Sequence, residues 1–169
     1  MNVVDPRVDT PATRLSMGHA DANAASWLSF QMAGQHYAAP LAQVSEVLRD
    51  GEFTPVPGAA ADLLGICHLR GRIVPLLDGR LRLGLPAEPP ADPEQVRIVM
   101  MIHDGHLVGL RVDAIGDLLT PASSDIAAPP QGAAARQDDP VAGVLPWQGG
   151  FIALLDVRRL CRLPASDAA

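Results

Sequence analysis

A chain of 169 residues, 48% hydrophobic and only 4% aromatic, is long enough to bury a packed core built from Val, Ile, Leu and Ala. Its formal net charge of -6 and pI near 5.2 argue against a nucleic-acid binder, which needs a basic face. All thirteen basic residues are Arg, which excludes a Schiff-base lysine and a phosphate-loop lysine.

The two cysteines, Cys67 and Cys161, form neither a C-x-x-C unit nor a disulfide framework. The first residues lack the basic start and the stretch of about 7–15 apolar residues of a secretory signal. No run reaches the roughly 18 apolar residues of a membrane span. A cytoplasmic location is therefore expected. Residues 1–25, polar and rich in Pro, Asp, Thr and Ala, read as a disordered tail. Residues 26–164 read as one domain of two β units, and 165–169 as a C-terminal tail.

Trp27, Leu28, Phe30 and Met32 predict a strand, 33–35 a turn, and 36–39 the returning strand of a hairpin. The segment VSEVLR (44–49) alternates imperfectly and fits a strand or a short helix. TPVPGAAADLLG, with two prolines around Val56, predicts an extended bend and then a helical turn near 59–63. The run 73–77 inside GICHLRGRIVPLLD suits a buried strand. Leu81 and Leu85 lie four apart and Gly84 suits a helix end, so 79–85 is expected to close as a helical turn. PAEPPADPEQ is a proline-dense loop, placed to mark the passage from one β unit to the next. VRIVMMIHDGHLVGLRVD is the clearest hairpin, turning on Asp104-Gly105. AIGDLLT continues as a strand or meander, and AAPPQGAAARQDDP is a long connection. VAGVLPWQGGFIALLD predicts a hairpin across Gly149-Gly150. DVRRLCRL ends in a short helix capped by Asp156, with Val157, Leu160 and Cys161 on one face. About nine or ten short strands with little helix indicate an all-β barrel or pair of barrels. No sustained internal repeat is visible in the sequence.

Candidate catalytic groups are sparse. His103 and His106 flank a hairpin turn, where two imidazoles can meet. A zinc site needs about three or four protein ligands, and no others stand at ligand spacing. They read as solvated residues at a hairpin end. Cys67 and His68 are adjacent, but neighbouring strand residues point to opposite faces, so they form no nucleophile–base pair. Cys67 reads as a small apolar residue. No serine lies in a G-x-S-x-G setting, and the glycines form no phosphate cradle. Asp78, Asp113 and Asp156 each end an apolar run, where turns and caps are expected. Neither enzymatic activity nor a cofactor or metal is expected.

A core without catalytic chemistry points to binding. Proline within a strand is tolerated at an edge or bulge, and an apolar edge is an aggregation hazard unless a partner covers it. Pro75 fits such an edge. Arg70 beside it fits the margin, where a guanidinium clamps carboxylates or carbonyls, or pairs with a neighbouring acid.

At these residues the sequence resembles the CheW family, adaptor proteins of bacterial chemosensory arrays. FQMAGQHYAAPLAQVSEVLR is similar to the family's opening hairpin and V-x-E-[VI] signature. TPVPGAAADLLGICHLRGRIVPLLDGRLRLGL is similar to its T-x-[VI]-P, N-L-R-G and I-V-P-[VL]-[VLI]-D series. RIVMMIHDGHLVGLRVDAIGDLLTP is similar to its V-x-G-[LI]-x-V-D hairpin, and VAGVLPWQGGFIALLDVRRL to its closing hairpin and helix. The resemblance spans roughly 27–163, and its specificity lies in the order and spacing of the motifs. It implies an all-β fold of two SH3-like five-stranded β-barrel subdomains with short helices, and no enzymatic activity. It implies a scaffold that bridges chemoreceptor cytoplasmic tips to the regulatory domain of a CheA-type histidine kinase, with self-association or mixed rings open to it. Type IV pilus, surface-sensing or another non-flagellar pathway is the alternative output. Matched by motif, the partner-binding residues are Val44, Glu46, Val47, Leu69, Arg70, Gly71, Ile73, Val108, Val112 and Asp113. Arg70 is expected at the edge of a groove between the subdomains. Two positions depart from the pattern: His68 replaces Asn before L-R-G, and Gly79 replaces a residue that would pack.

Overall fold

Four tight loops set the register. Ala33-Gly34, Arg70-Gly71, Asp104-Gly105 and Gln148-Gly149 each hold two consecutive residues at positive φ, between 45° and 79°. That is the backbone of a type I′ turn, whose twist matches the strands it joins, and glycine takes the second place each time. The computed structural model describes residues 25–129 and 139–162. The expected tails before residue 25 and from 165 on, and most of the 127–140 connection, lie outside these.

The strands are β1 (Trp27–Met32), β2 (Gln35–Pro40), β3 (Val44–Arg49), β4 (Leu63–Leu69) and β5 (Arg72–Asp78), followed by a one-turn helix α1 (Gly79–Arg82). Then come β6 (Arg97–His103), β7 (His106–Val112), β8 (Ala114–Leu119), β9 (Val141–Trp147), β10 (Gly150–Leu155) and a second one-turn helix, α2 (Val157–Leu160). They form two five-stranded sheets. Sheet 1 has the order β8-β1-β2-β10-β9 and sheet 2 the order β3-β6-β7-β5-β4. Only the β2–β10 and β5–β7 contacts are parallel.

The chain runs through one plan twice. β1–β5 end in α1, and β6–β10 end in α2. Each sheet takes the leading hairpin of one repeat and the last three strands of the other. Details recur at matching places. A bulge interrupts β3–β6 and β1–β8 pairing. Isolated bridges join Thr54 to Ile66 and Ala127 to Val144. Asp78 accepts from the N–H groups of Arg80 and Leu81 to cap α1, and Asp156 caps α2 through the N–H of Arg159.

Three clusters make the core. Ala38, Leu119, Leu145, Ile152 and Leu154 fill sheet 1, while Val74, Leu76, Ile98 and Met100 fill sheet 2. Between them a larger cluster joins Phe30, Met32 and Leu155 to Leu77, Met101 and Leu110, so the sheets share one interior. Arg82 ties the helices together. Its guanidinium donates to the carbonyls of Leu160, Arg159 and Arg162, and pairs with Asp62 at 3.1 Å.

Three expectations are corrected. The last hairpin turns on Gln148-Gly149, because Gly150 already pairs with Trp147. The expected helical turn near 59–63 is a pair of tight turns, closed by Ala59 N–H to Val56 and Leu63 N–H to Ala60, before β4 begins at Leu63. The 86–95 loop separates the repeats, not the sheets, because sheet 2 runs from β3 to β7 straight through it.

Gly79 is explained by packing. A Cβ there would lie 2.6 Å from the carbonyl oxygen of Arg111 and would strike the sulfur of Met32. Met32, itself fully buried, fills the space a larger residue at 79 would take.

Candidate partner-binding site

β3 and β4 are the two outer strands of sheet 2, yet one ion pair joins them. Arg70, at φ 49° in the β4–β5 turn, reaches Glu46 on β3. Its Nη1 lies 2.8 Å from Oε1, and Nη2 donates to Oε2 at 3.1 Å. Oε1 is shielded from solvent and receives no aligned hydrogen bond, so its contact with Nη1 is ionic. The pair spans the two outer strands of the sheet. Because the Arg70 side chain is 74% exposed, the pair contributes only about 0–1 kcal/mol to stability.

A groove of about 440 Å³ opens where β5 and β7 diverge. Arg72, Ile73, Val74 and Pro75 line one wall, and His106, Leu107 and Val108 the other. His103 and Cys161, the latter just past α2, complete the lining. Ile73 is 64% exposed, a large apolar side chain offered to solvent. Val47 on β3 and, in sheet 1, Leu118 and Phe151 are exposed as well.

The expected site residues divide. Leu69, Arg70 and Gly71 form the β4–β5 turn, and Glu46 meets them through the ion pair. Val47 and Ile73 present apolar surface. Val108 is buried and lines the groove. Val44 is half-buried against the shared core, and Val112 lies within it, out of reach of any partner. The strand alternation explains this: the two residues face the core side of β3 and β7. Asp113 is engaged internally. It takes Arg80 Nη2 at 2.5 Å and Nε at 3.0 Å, and accepts from the N–H of Ala33 at 2.9 Å. It braces the place where the chain leaves sheet 2 for sheet 1. Arg70 itself does not line the groove; the guanidinium there belongs to Arg72, two residues later at the start of β5. Arg72, Leu107 and Cys161 were not singled out for binding from the sequence, and Pro75, a proline inside an apolar strand, is the signal that led there.

Among the described residues the catalytic candidates form no metal-binding cluster. His103 and His106 are cross-strand partners, and His103 Nε2 lies 3.0 Å from Asp104 Oδ2. Among the described residues no three His, Cys, Asp or Glu side chains converge on a common point. Cys67 is half-buried while His68 faces solvent, on opposite sides of β4. Burial raises the Cys67 thiol and pushes Cys161 up to about 12, so neither is a ready thiolate. Asp78 and Asp156 are helix caps.

A family model described as CheW-like domain matches residues 26–165. Chemotaxis protein CheW of Rhizobium meliloti is 33% identical over 132 residues, covering 77% of this chain and 83% of that protein. Chemotaxis protein CheW of Bacillus subtilis is 27% identical over 140 residues, 83% of this chain and 88% of that one. Protein PilI of Pseudomonas aeruginosa is 33% identical over 92 residues, 53% of this chain and 51% of its own length. The crystal structure of scaffolding protein TtCheW from Thermoanaerobacter tengcongensis has the same fold, with a TM-score of 0.74 at 24% identity over 83% of this chain and 94% of that chain. Two interleaved five-stranded sheets, their order of motifs and these matches carry one conclusion: the chain belongs to the CheW-like domain family.

Proposed function

We propose that this protein is a non-enzymatic adaptor that couples the cytoplasmic tips of chemoreceptors to the regulatory domain of a CheA-type histidine kinase. The observation that carries this reading is the open apolar groove with Ile73 exposed at its lip. A side chain of that size left in water costs free energy that a partner recovers by covering it. The exposed Val47 and Ile73 on sheet 2, and Leu118 and Phe151 on sheet 1, give the molecule an apolar contact on each half, which suits a bridge between two partners. In this reading the protein works in the cytoplasm beside membrane-bound receptors, and its weak individual contacts gain strength by multivalency within the array, including self-association or mixed rings with the kinase.

Titration calorimetry of the purified chain against a soluble receptor cytoplasmic fragment and against the regulatory domain of a CheA-type kinase tests it. Binding to both is expected, and Ile73→Glu should weaken at least one of them ten-fold or more with an unchanged far-UV CD spectrum. Failure to bind either protein refutes the reading. The match to Protein PilI favours, as a second reading, a non-flagellar output such as a type IV pilus or surface-sensing pathway. Recovery of a different kinase in a pulldown from native cytoplasm distinguishes the two.

A further inference from the structure

The two repeats differ in charge at one end of sheet 2. β6 and β7 meet at Asp104-Gly105 as β1 and β2 meet at Ala33-Gly34, which matches Arg97 to Ser26. On the outer strands, Val47 opposes Val99 as Leu118 opposes Leu28, each just past a bulge, which matches Arg49 to Thr120. In sheet 1 the matched residues are two hydroxyls, Ser26 Oγ and Thr120 Oγ1, that share a hydrogen bond at 3.4 Å. In sheet 2 they are two arginines, and Arg49 and Arg97 stand directly opposite each other on β3 and β6.

Like charges in directly opposed strand positions repel. Neither arginine has a carboxylate partner among the described residues. Asp50, next to Arg49 in sequence, is taken by Arg111 at 2.7 Å. Arg97 Nη1 donates to the backbone carbonyls of Glu94 and Val96, at 2.7 and 2.8 Å. Those two bonds hold the Arg97 guanidinium in place, while Arg49 is exposed at the end of β3. Val47 lies two residues from Arg49 on the same strand face and is 39% exposed. Arg97 stands six residues along β6 from His103, about 20 Å from that end of the groove.

We infer that Arg49 and Arg97 form a second docking point on sheet 2, which takes an acidic segment of a partner protein, a statement that rests on the adaptor function above. A carboxylate set between two guanidinium groups accepts from both and cancels their repulsion, so the anion relieves a strain the free protein carries. Arg97 is already positioned, which lowers the ordering cost of that contact. The exposed Val47 beside the cations favours an acidic side chain with an apolar neighbour over a bare anion.

The test uses the full chain with Arg49→Glu, which exchanges the repulsion for an attraction to Arg97. The expected result is a split: the melting temperature rises, while affinity for the receptor cytoplasmic fragment or the kinase regulatory domain falls about ten-fold or more and becomes less dependent on salt. A lowered melting temperature overturns the uncompensated pair, and unchanged affinity for both proteins overturns the docking point. A hexaglutamate peptide supplies a probe that needs neither partner. It should shift the Arg49 and Arg97 side-chain Nε–H NMR signals of the wild type saturably, and leave the Arg97 signal of Arg49→Glu unmoved. If the wild type binds neither protein, the adaptor reading fails, and this titration still decides whether the arginines receive an acidic segment. Signals that do not move overturn the site. Signals moved by inorganic phosphate at lower concentration than by the peptide make the occupant a phosphoryl group and overturn the acidic segment.

Discussion

Arg70 and Glu46 lie 24 residues apart and on opposite edges of sheet 2, so their contact exists only in the curled sheet. Most of the guanidinium still faces solvent, which leaves it free to meet a partner's carboxylate. Arg70→Glu is therefore expected to lower kinase or receptor affinity at least ten-fold while shifting the melting temperature by only a few degrees, since exposed pairs contribute about 0–1 kcal/mol. Reversing both charges, Arg70→Glu with Glu46→Arg, should restore the melting temperature without restoring affinity. Recovered affinity would show that the pair serves only to close the barrel. Cys161 gives a second prediction at this scale. Its folded thiol titrates near 12 because burial penalises the thiolate, against an ordinary value of 9.0. The folded state thus holds this proton more tightly. The resulting stabilisation is complete below about pH 9 and is lost as pH rises toward 12. Urea unfolding at a series of alkaline pH values should show a shallower decline for Cys161→Ala than for the wild type. A slope that does not change would remove Cys161 from the alkaline transition.

At the scale of elements, α1 is a single turn, too short to persist on propensity alone, and it exists because Asp78 caps it and Arg80 and Arg82 anchor it. Its first residue sets a conflict between propensity and packing. Alanine is a better helix former than glycine by about 1 kcal/mol, but at 79 its Cβ would press on the Arg111 carbonyl. Gly79→Ala is expected to destabilise by about 1–3 kcal/mol, the usual cost of overpacking, in equilibrium urea unfolding. A stabilised variant would mean that the contact relaxes freely. The hairpins need no such adjustment. Each I′ loop carries its own glycine, which is why Asp104-Gly105 could be placed from the sequence, while Gln148-Gly149 was displaced by one residue in a Gly-Gly pair that offers two choices.

For the whole molecule, interleaving is the decisive property. Neither repeat owns a sheet: β1 and β2 need β8–β10, and β3–β5 need β6 and β7. Fragments 1–90 and 91–169 should each lack native CD when expressed alone and should recover it, as one species by size exclusion, when refolded together. A fragment that folds by itself would contradict the interleaved plan. The intact chain should unfold in a single calorimetric transition, because the central cluster from Phe30 to Leu160 draws on both sheets.

By itself the sequence determined most of the strands, two of the four turns, the two capped helical ends and the family, because each rests on local chemistry: alternation, a glycine at positive φ, a carboxylate before a helix. The motif L-R-G and the proline in I-V-P directed attention to β5, whose first residues line the groove. The sequence did not reveal the repeat, since matching positions such as Pro75 and Ala153, or His68 and Pro146, differ in type and share only their place in a ladder. Which of the expected site residues face outward was also left to the tertiary structure. Val112 and Ile73 are both apolar strand residues, and only the packing of one sheet on the other buries the first and leaves the second in water. The same holds for Arg70: its partner is set by sheet closure, a contact between edges that no stretch of local sequence encodes.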